Sequence, residues 1–373
     1  MTGLGGGRMS QKGQSAGACF DRKVVFFGCP LDCDERHDSV EEKRAAAEAF
    51  VRDEDPYEGV MRFLREEVEG TLWEEAGSME VPEWLRPIPD LRELGRVAVQ
   101  HFVAFIDRDG CREFAHRVGD LIEDRIFPRI PCMIAVDHSL TGGAYGRVAK
   151  PYGKDAVSLV VLDSHTDAVP VSILSEAIMY DMETNPSSPH DPNDPFLRNR
   201  SESFNACSFI YSLLEEEWVV PKNLYIIGIS DYPPKQAFRV KDTRIKRYVG
   251  LYAGLKRRGA TILTKKDLLT SPSRVKAVLG KVDTPYLYIS VDMDIGARNA
   301  VEGVRFRDRQ GLNEKQLYGI ADRLRELISE GRRLAGMDVM EMNPRISDPD
   351  SPGGEDPTFR IAANLIKKIC FGM

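Results

Sequence analysis

The sequence predicts an α/β fold with a mostly parallel β-sheet covered by helices on both faces. Short apolar runs bounded by polar turns read as buried strands, and longer stretches of helical spacing separate them. The chain has 373 residues and 42% hydrophobic content, enough to bury such a sheet as one large domain.

The first apolar run, 24–27, reads as a strand, and 40–51 and 58–68 as helices. A helix over 111–126 leads into a strand at 133–136, and further strands follow at 157–162 and 224–229. A helix over 245–258 precedes the strand at 286–291; a helix at 314–329, a strand at 334–339 and a helix at 357–369 close the chain. Two segments look inserted: 53–92, rich in Glu, Pro and Trp, and 181–203, dense in Pro, Asn, Ser and Asp. The second is long for an ordinary connection and reads as a functional lid or a disordered loop. Residues 1–22 read as a flexible tail, leaving 23–373 as a single domain. The Gly3–Gly7 run in that tail has no following Gly-Lys-Ser/Thr and no preceding strand, so it is not read as a phosphate loop.

Composition excludes several function classes. A formal net charge of −7 does not favour nucleic acid as a partner. No apolar run approaches the ~20 residues that span a bilayer, and residues 1–18 lack the apolar core of a signal peptide. Seven cysteines, an odd count without a CxxC pair, suggest neither a disulfide framework nor a thiolate zinc site. A reducing, cytoplasmic location is therefore expected.

The chemistry gathers at strand ends, where open parallel sheets bind ligands. Of six histidines, two directly follow apolar runs and are flanked by acids. One is His138, in Ile-Ala-Val-Asp-His-Ser; the other is His165, in Val-Val-Leu-Asp-Ser-His-Thr-Asp, with Asp163 and Asp167 two positions to either side. Strand alternation would put these last three side chains on one face, and a turn would still keep them within five positions. A third run ends Ile-Ser-Val-Asp-Met-Asp, giving Asp292 and Asp294. Each motif alone could be a helix cap or a hydrogen-bonded structural residue. Three in order, each at a strand end, point instead to divalent cations, because clustered acids without cations repel. Carboxylate-rich sites with some imidazole favour Mn²⁺ over soft metals.

With these motifs the sequence resembles the ureohydrolase family of arginases, agmatinases, guanidinobutyrases and formiminoglutamases. The matching segments are Ala135-Val-Asp-His-Ser139, Asp163-Ser-His-Thr-Asp167, Ser290-Val-Asp-Met-Asp294 and Asp338-Val-Met-Glu-Met-Asn-Pro344. The resemblance implies a three-layer αβα sandwich of the arginase/deacetylase type, two Mn²⁺ per subunit, and a homo-oligomer, trimeric or hexameric. It implies that one ion takes His138, Asp163, Asp167 and Asp292 and the other Asp163, His165, Asp292 and Asp294, with Asp163 and Asp292 bridging. Asp167 would also orient the nucleophile and pass its proton to the leaving nitrogen, and Glu341 would face the amidinium end of a small cationic guanidine or amidine.

The sequence departs from the family pattern. Ala135 and Val136 replace two glycines, Ala297-Arg298 replaces Asp-Pro, and Asn205 stands where many members carry a His-Gly pair. These changes leave the ligand set intact and bear on the substrate, with Asn205 as a candidate substrate contact. The reaction expected is hydrolysis of a C–N bond in a linear guanidine or amidine, with L-arginine a poor substrate. Formimino or amide hydrolysis on the same site, or a metal-binding protein without catalysis, are the alternatives.

Overall fold

The computed structural model describes residues 23–49, 55–271, 273–344 and 356–373. The 1–22 tail, and the ends of the expected elements that fall at 50–54, lie outside them. Eight strands form one sheet: β1 (Val24–Cys29), β2 (Trp73–Ser78), β3 (Ile130–Ala135), β4 (Val157–Leu162), β5 (Leu224–Ile229), β6 (Thr261–Thr264), β7 (Tyr286–Asp292) and β8 (Arg333–Met340). Their spatial order is β2-β1-β3-β8-β7-β4-β5-β6, and every pairing is parallel.

The period-2 alternation of the strands divides the core in two. Val24, Phe26, Val160 and Leu162 point to one face, and Val25, Phe27, Leu159 and Val161 to the other. The first face is covered by helices Pro56–Glu67, Glu314–Ser329 and Thr358–Ile366. The second is covered by Val99–Ile106, Gly110–Leu121, Leu140–Tyr152 and Phe209–Glu215. Strands buried on both sides read as near-continuous apolar runs, which is why β1, β3, β4, β5, β7 and β8 are the ones legible in the sequence.

The segment 53–92, which reads as an insertion, instead supplies integral parts of the sandwich. Helix Pro56–Glu67 packs on the sheet and β2 forms its edge. With the sequence Trp-Glu-Glu-Ala-Gly-Ser and no fully buried residue, β2 lacks an apolar signature. The other edge strand, β6, has four residues and two terminal threonines. Helix ends follow local chemistry. Asn313 and Gln316 form a capping box that starts Glu314–Ser329. Asp242 caps Thr243–Arg258, and Gly259, at φ 103°, ends it in a left-handed turn that suits glycine.

Candidate metal centre

Four adjacent strands of the sheet, β3, β8, β7 and β4, carry the candidate residues at their carboxyl ends. His138 lies just beyond β3, in the turn that opens helix Leu140–Tyr152. Asp292 is the last residue of β7, and Asp294 lies in the short turn Met293–Gly296, where its N–H donates to Asp292 Oδ1 at 2.8 Å. β4 ends at Leu162, so Asp163, His165 and Asp167 converge through a turn and not through strand alternation. The His165 N–H donates to Asp163 Oδ1 at 2.6 Å. Asp167 has φ 47° and Glu341, which follows β8, has φ 64°. Side chains rarely adopt this left-handed conformation, and its use at two cavity residues marks a constrained functional region.

These turns assemble two overlapping groups of ligand atoms. His138, Asp163, Asp167 and Asp292 form one; Asp163, His165 and Asp294 form the other. His138 Nδ1 lies 3.3 Å from Asp163 Oδ2, 2.8 Å from Asp167 Oδ2 and 3.3 Å from Asp292 Oδ2. His165 Nδ1 lies 2.9 Å from Asp294 Oδ2 and 3.7 Å from Asp163 Oδ1. The six residues expected from the sequence thus meet in one place, and Asp163 belongs to both groups.

A buried network orients His138. Asp338 accepts hydrogen bonds from Ser290 Oγ (2.5 Å), Tyr288 OH (2.7 Å) and Thr141 Oγ1 (2.9 Å). With its proton given to Asp338, Ser290 Oγ accepts from His138 Nε2 at 2.9 Å. The Nδ1 lone pair of a neutral imidazole is thereby aimed into the carboxylates, a support that fixes tautomer and ring orientation in metal sites. Phe209 packs against the same ring, with centroids 4.9 Å apart.

The electrostatics fit a cation at this place. Among the described residues, His138 Nδ1 and Asp163 Oδ2 are buried and have no hydrogen-bond partner, although unpaired buried polar atoms are costly. Burial, reinforced by the charge of Asp167, pushes the Asp163 carboxyl well above its ordinary range. Burial and the neighbouring Asp294 and Asp163 do the same to Asp292. Burial opposes protonation of His138, yet Asp163, Asp167 and Asp292 outweigh it and raise that imidazole strongly. Such a cluster holds protons unless a cation neutralises it.

The centre opens into a cavity of about 620 Å³ whose wall includes His165, Asp167, Asp292, Asp294 and Glu341. Pro189, His190, Asp191, Asp194, Phe196 and Leu197, from the 181–203 segment, also line it. Asn205 reaches the wall too, but its Oδ1 accepts from Ser208 Oγ at 3.0 Å within its own turn. Glu341 Oε1 accepts from the His138 N–H at 3.3 Å and from Arg305 Nη1 at 3.0 Å. Sequence reading missed Arg305 and Phe306, whose ring stands edge-on to His165 at 4.9 Å. It also missed the roles of Ser290 and Asp338, although both lie inside quoted motifs. Their place inside those motifs was the available signal.

Fold and site define a parallel α/β protein with a carboxylate- and imidazole-lined pocket that could hold metal ions at the carboxyl edge of its sheet. A model of the arginase family matches residues 22–372, and the chain belongs to that family. Among solved structures, the chain is similar to formimidoylglutamase from Bacillus subtilis at 18% identity and TM-score 0.56, covering 99% of this chain and 96% of that one. Arginase from Bacillus subtilis matches at 16% identity and TM-score 0.56, over 94% and 99% of the two chains. Trypanosoma cruzi formiminoglutamase, solved with Mn²⁺, matches at 14% identity and TM-score 0.54, over 96% and 95%. No curated protein matched. Among the described residues, no helix is long and apolar enough to cross a membrane.

Proposed function

We propose that the protein is a dinuclear Mn²⁺-dependent hydrolase that cleaves a C–N bond in a small linear guanidine or amidine and forms a homo-oligomer in the cytoplasm. The observation that carries this reading is the overlap of the two ligand groups at Asp163. In a chain of the arginase family, that overlap suits two cations sharing a bridging carboxylate. His138, Asp163, Asp167 and Asp292 would hold one ion, and Asp163, His165, Asp292 and Asp294 the other. When bound, the ions supply Lewis acidity that makes water nucleophilic near neutral pH.

The chain's own residues then divide the remaining work. Asp167, bordering the cavity and 8% exposed, is placed to accept a proton from the attacking water and return it to the leaving nitrogen. Glu341, in the cavity wall, would attract the cationic end of the substrate. The 189–197 stretch and Asn205 form the wall against the far end of the substrate. That wall closes the pocket with Phe196 and Leu197 alongside Asp191 and Asp194, so the length and polarity of the substrate are selected there.

The test is metal analysis combined with product release from Mn²⁺-loaded protein. About two ions per chain are expected. Agmatine, guanidinobutyrate and formiminoglutamate are to be compared with arginine, which is expected to be poor or inert. Absence of metal binding after Mn²⁺ loading sinks the reading, and preferred turnover of arginine overturns its substrate part. Sedimentation showing a monomer at micromolar concentration overturns the oligomer.

A further inference from the structure

Arg305 puts a guanidinium belonging to the protein itself on Glu341, the carboxylate proposed to hold the cationic end of the substrate. Its side chain is 6% exposed. Four carboxylates surround it: Glu341 Oε1 at 3.0 Å and Asp137 Oδ2 at 3.4 Å from Nη1, Asp32 Oδ1 at 3.5 Å from Nε, and Asp34 Oδ2 at 3.9 Å from Nη2. The backbone holds it in place as firmly as the side chain does. The Arg305 N–H donates to the Glu341 carbonyl at 3.0 Å, and the Asn343 N–H donates to the Gly303 carbonyl at 2.8 Å. An antiparallel bridge between Val304 and Met342 joins the same two stretches. Arg305 is therefore a fixed part of the cavity wall and not an arm free to leave it.

This placement leaves Glu341 half used. Oε1 already takes two donors, the Arg305 Nη1 and the His138 N–H. Among the described residues, no hydrogen bond is made to Oε2. A guanidinium is recognised best by both oxygens of a carboxylate, through two parallel N–H···O bonds. Here only one oxygen is open, and the second place is filled by a like-charged group. A carbon bearing three nitrogens would bring one NH₂ into the closed pocket without its acceptor. In an N-formimino group the substituted nitrogen carries the chain, so a single NH₂ is left to donate and the one oxygen suffices.

We propose that Arg305 is a specificity-determining residue that occupies half of the Glu341 carboxylate and selects two-nitrogen amidines over three-nitrogen guanidines. The inference rests on the hydrolase reading above, because it assigns the reacting carbon to the side of the cavity where Glu341 faces the cluster. The discrimination expected from one unpaired NH₂ is about 10–100-fold.

The experiment compares N-formimino and guanidino derivatives of one aliphatic amino acid, such as 4-aminobutyrate, on Mn²⁺-loaded full-length protein. Wild type is compared with Arg305→Ala and with Arg305→Gln, which keeps a polar, uncharged side chain in the wall if the alanine variant fails to fold. Turnover gives the kcat/KM ratio, and calorimetric titration of N-methylformamidinium and N-methylguanidinium ions gives a binding ratio that does not depend on catalysis. Wild type is expected to favour the formimino compound, and N-methylformamidinium over N-methylguanidinium. In either folded variant both preferences should shrink at least about tenfold, mainly through KM and affinity, with metal content unchanged. Equal binding of the two ions by wild type overturns the proposal, as does a preference unchanged in a folded variant. Turnover of neither compound sinks the hydrolase reading instead, and the binding ratio still decides the role of Arg305.

Discussion

The two histidines of the centre have different settings. His138 is fully buried, carries three carboxylate oxygens within 3.3 Å of Nδ1, and is steered through Ser290 by Asp338. The His165 side chain is 31% exposed, faces the cavity and meets an aromatic edge. Its ligand group has three members where that of His138 has four. One half is thus a deep position fixed by a hydroxyl–carboxylate network. The other is a shallow position beside the cavity, where the proposed coordination is easier to change. A rigid inner position paired with an accessible outer one suits a site that must retain an ion while admitting a reactant.

The largest effect should come from erasing what the two halves share. Asp163→Ala should release both ions and lower C–N hydrolysis by about 10³-fold or more, since bound cations contribute several kcal/mol and each ~1.4 kcal/mol is tenfold. Metal analysis that still finds two ions in the variant would remove Asp163 as the bridge. His165→Ala and Asp294→Ala should instead leave one ion per chain, the deep one. Loss of both ions there would abolish the distinction between the halves. Asp338→Asn sharpens the comparison from the other side. It touches no proposed ligand, yet it should weaken the deep ion by about 10–100-fold and leave the shallow one nearly unchanged. Competition with a chelator, followed ion by ion, reads this out.

The same contrast explains what was legible in the sequence. All six candidate ligands could be read because each follows a buried, apolar strand, and such strands announce themselves. The edge strands could not: β2 reads Trp-Glu-Glu-Ala-Gly-Ser, and its half-exposed position demands no apolar run. The second sphere was half visible. Ser290 and Asp338 sit in recognisable motifs, but nothing in one sequence states that β7 and β8 lie side by side with those residues in register. Arg305 was hidden for a further reason. It comes from a loop without regular pattern, in the Val-Arg-Phe-Arg run of 304–307. Only the Val304–Met342 bridge turns that arginine, and not its neighbour Arg307, toward Glu341.

The smallest expected effect concerns protons. In the deep half, Asp163 and Asp292 are pushed well up, mainly by burial and then by neighbouring acids, and His138 is raised by the carboxylates around it. In the shallow half His165 is raised by Asp294, against the pull of burial. Asp294 itself is lowered, because His165, Ser164 and Lys265 outweigh burial. Cations bind the deprotonated ligands, so each ion displaces protons and its affinity should rise with pH. The shallow half alone contains a lowered group, Asp294, so its ion should release fewer protons and lose affinity less steeply on acidification than the deep one. Folding stability follows the same sign. Groups with raised values keep more protons in the metal-free fold than in the unfolded chain. Their contribution is present at low pH and lost as pH rises through the folded values. Asp294 alone opposes this, contributing stability above the ordinary aspartate range of about 3.9 and losing it as pH falls through its lowered value. The gain in Tm on adding Mn²⁺ should therefore grow from mildly acidic to neutral pH. Calorimetric titration in two buffers of different ionisation enthalpy counts the protons released by each ion. Equal release from the two halves, or a Tm gain that shrinks toward neutral pH, would contradict this division of the centre.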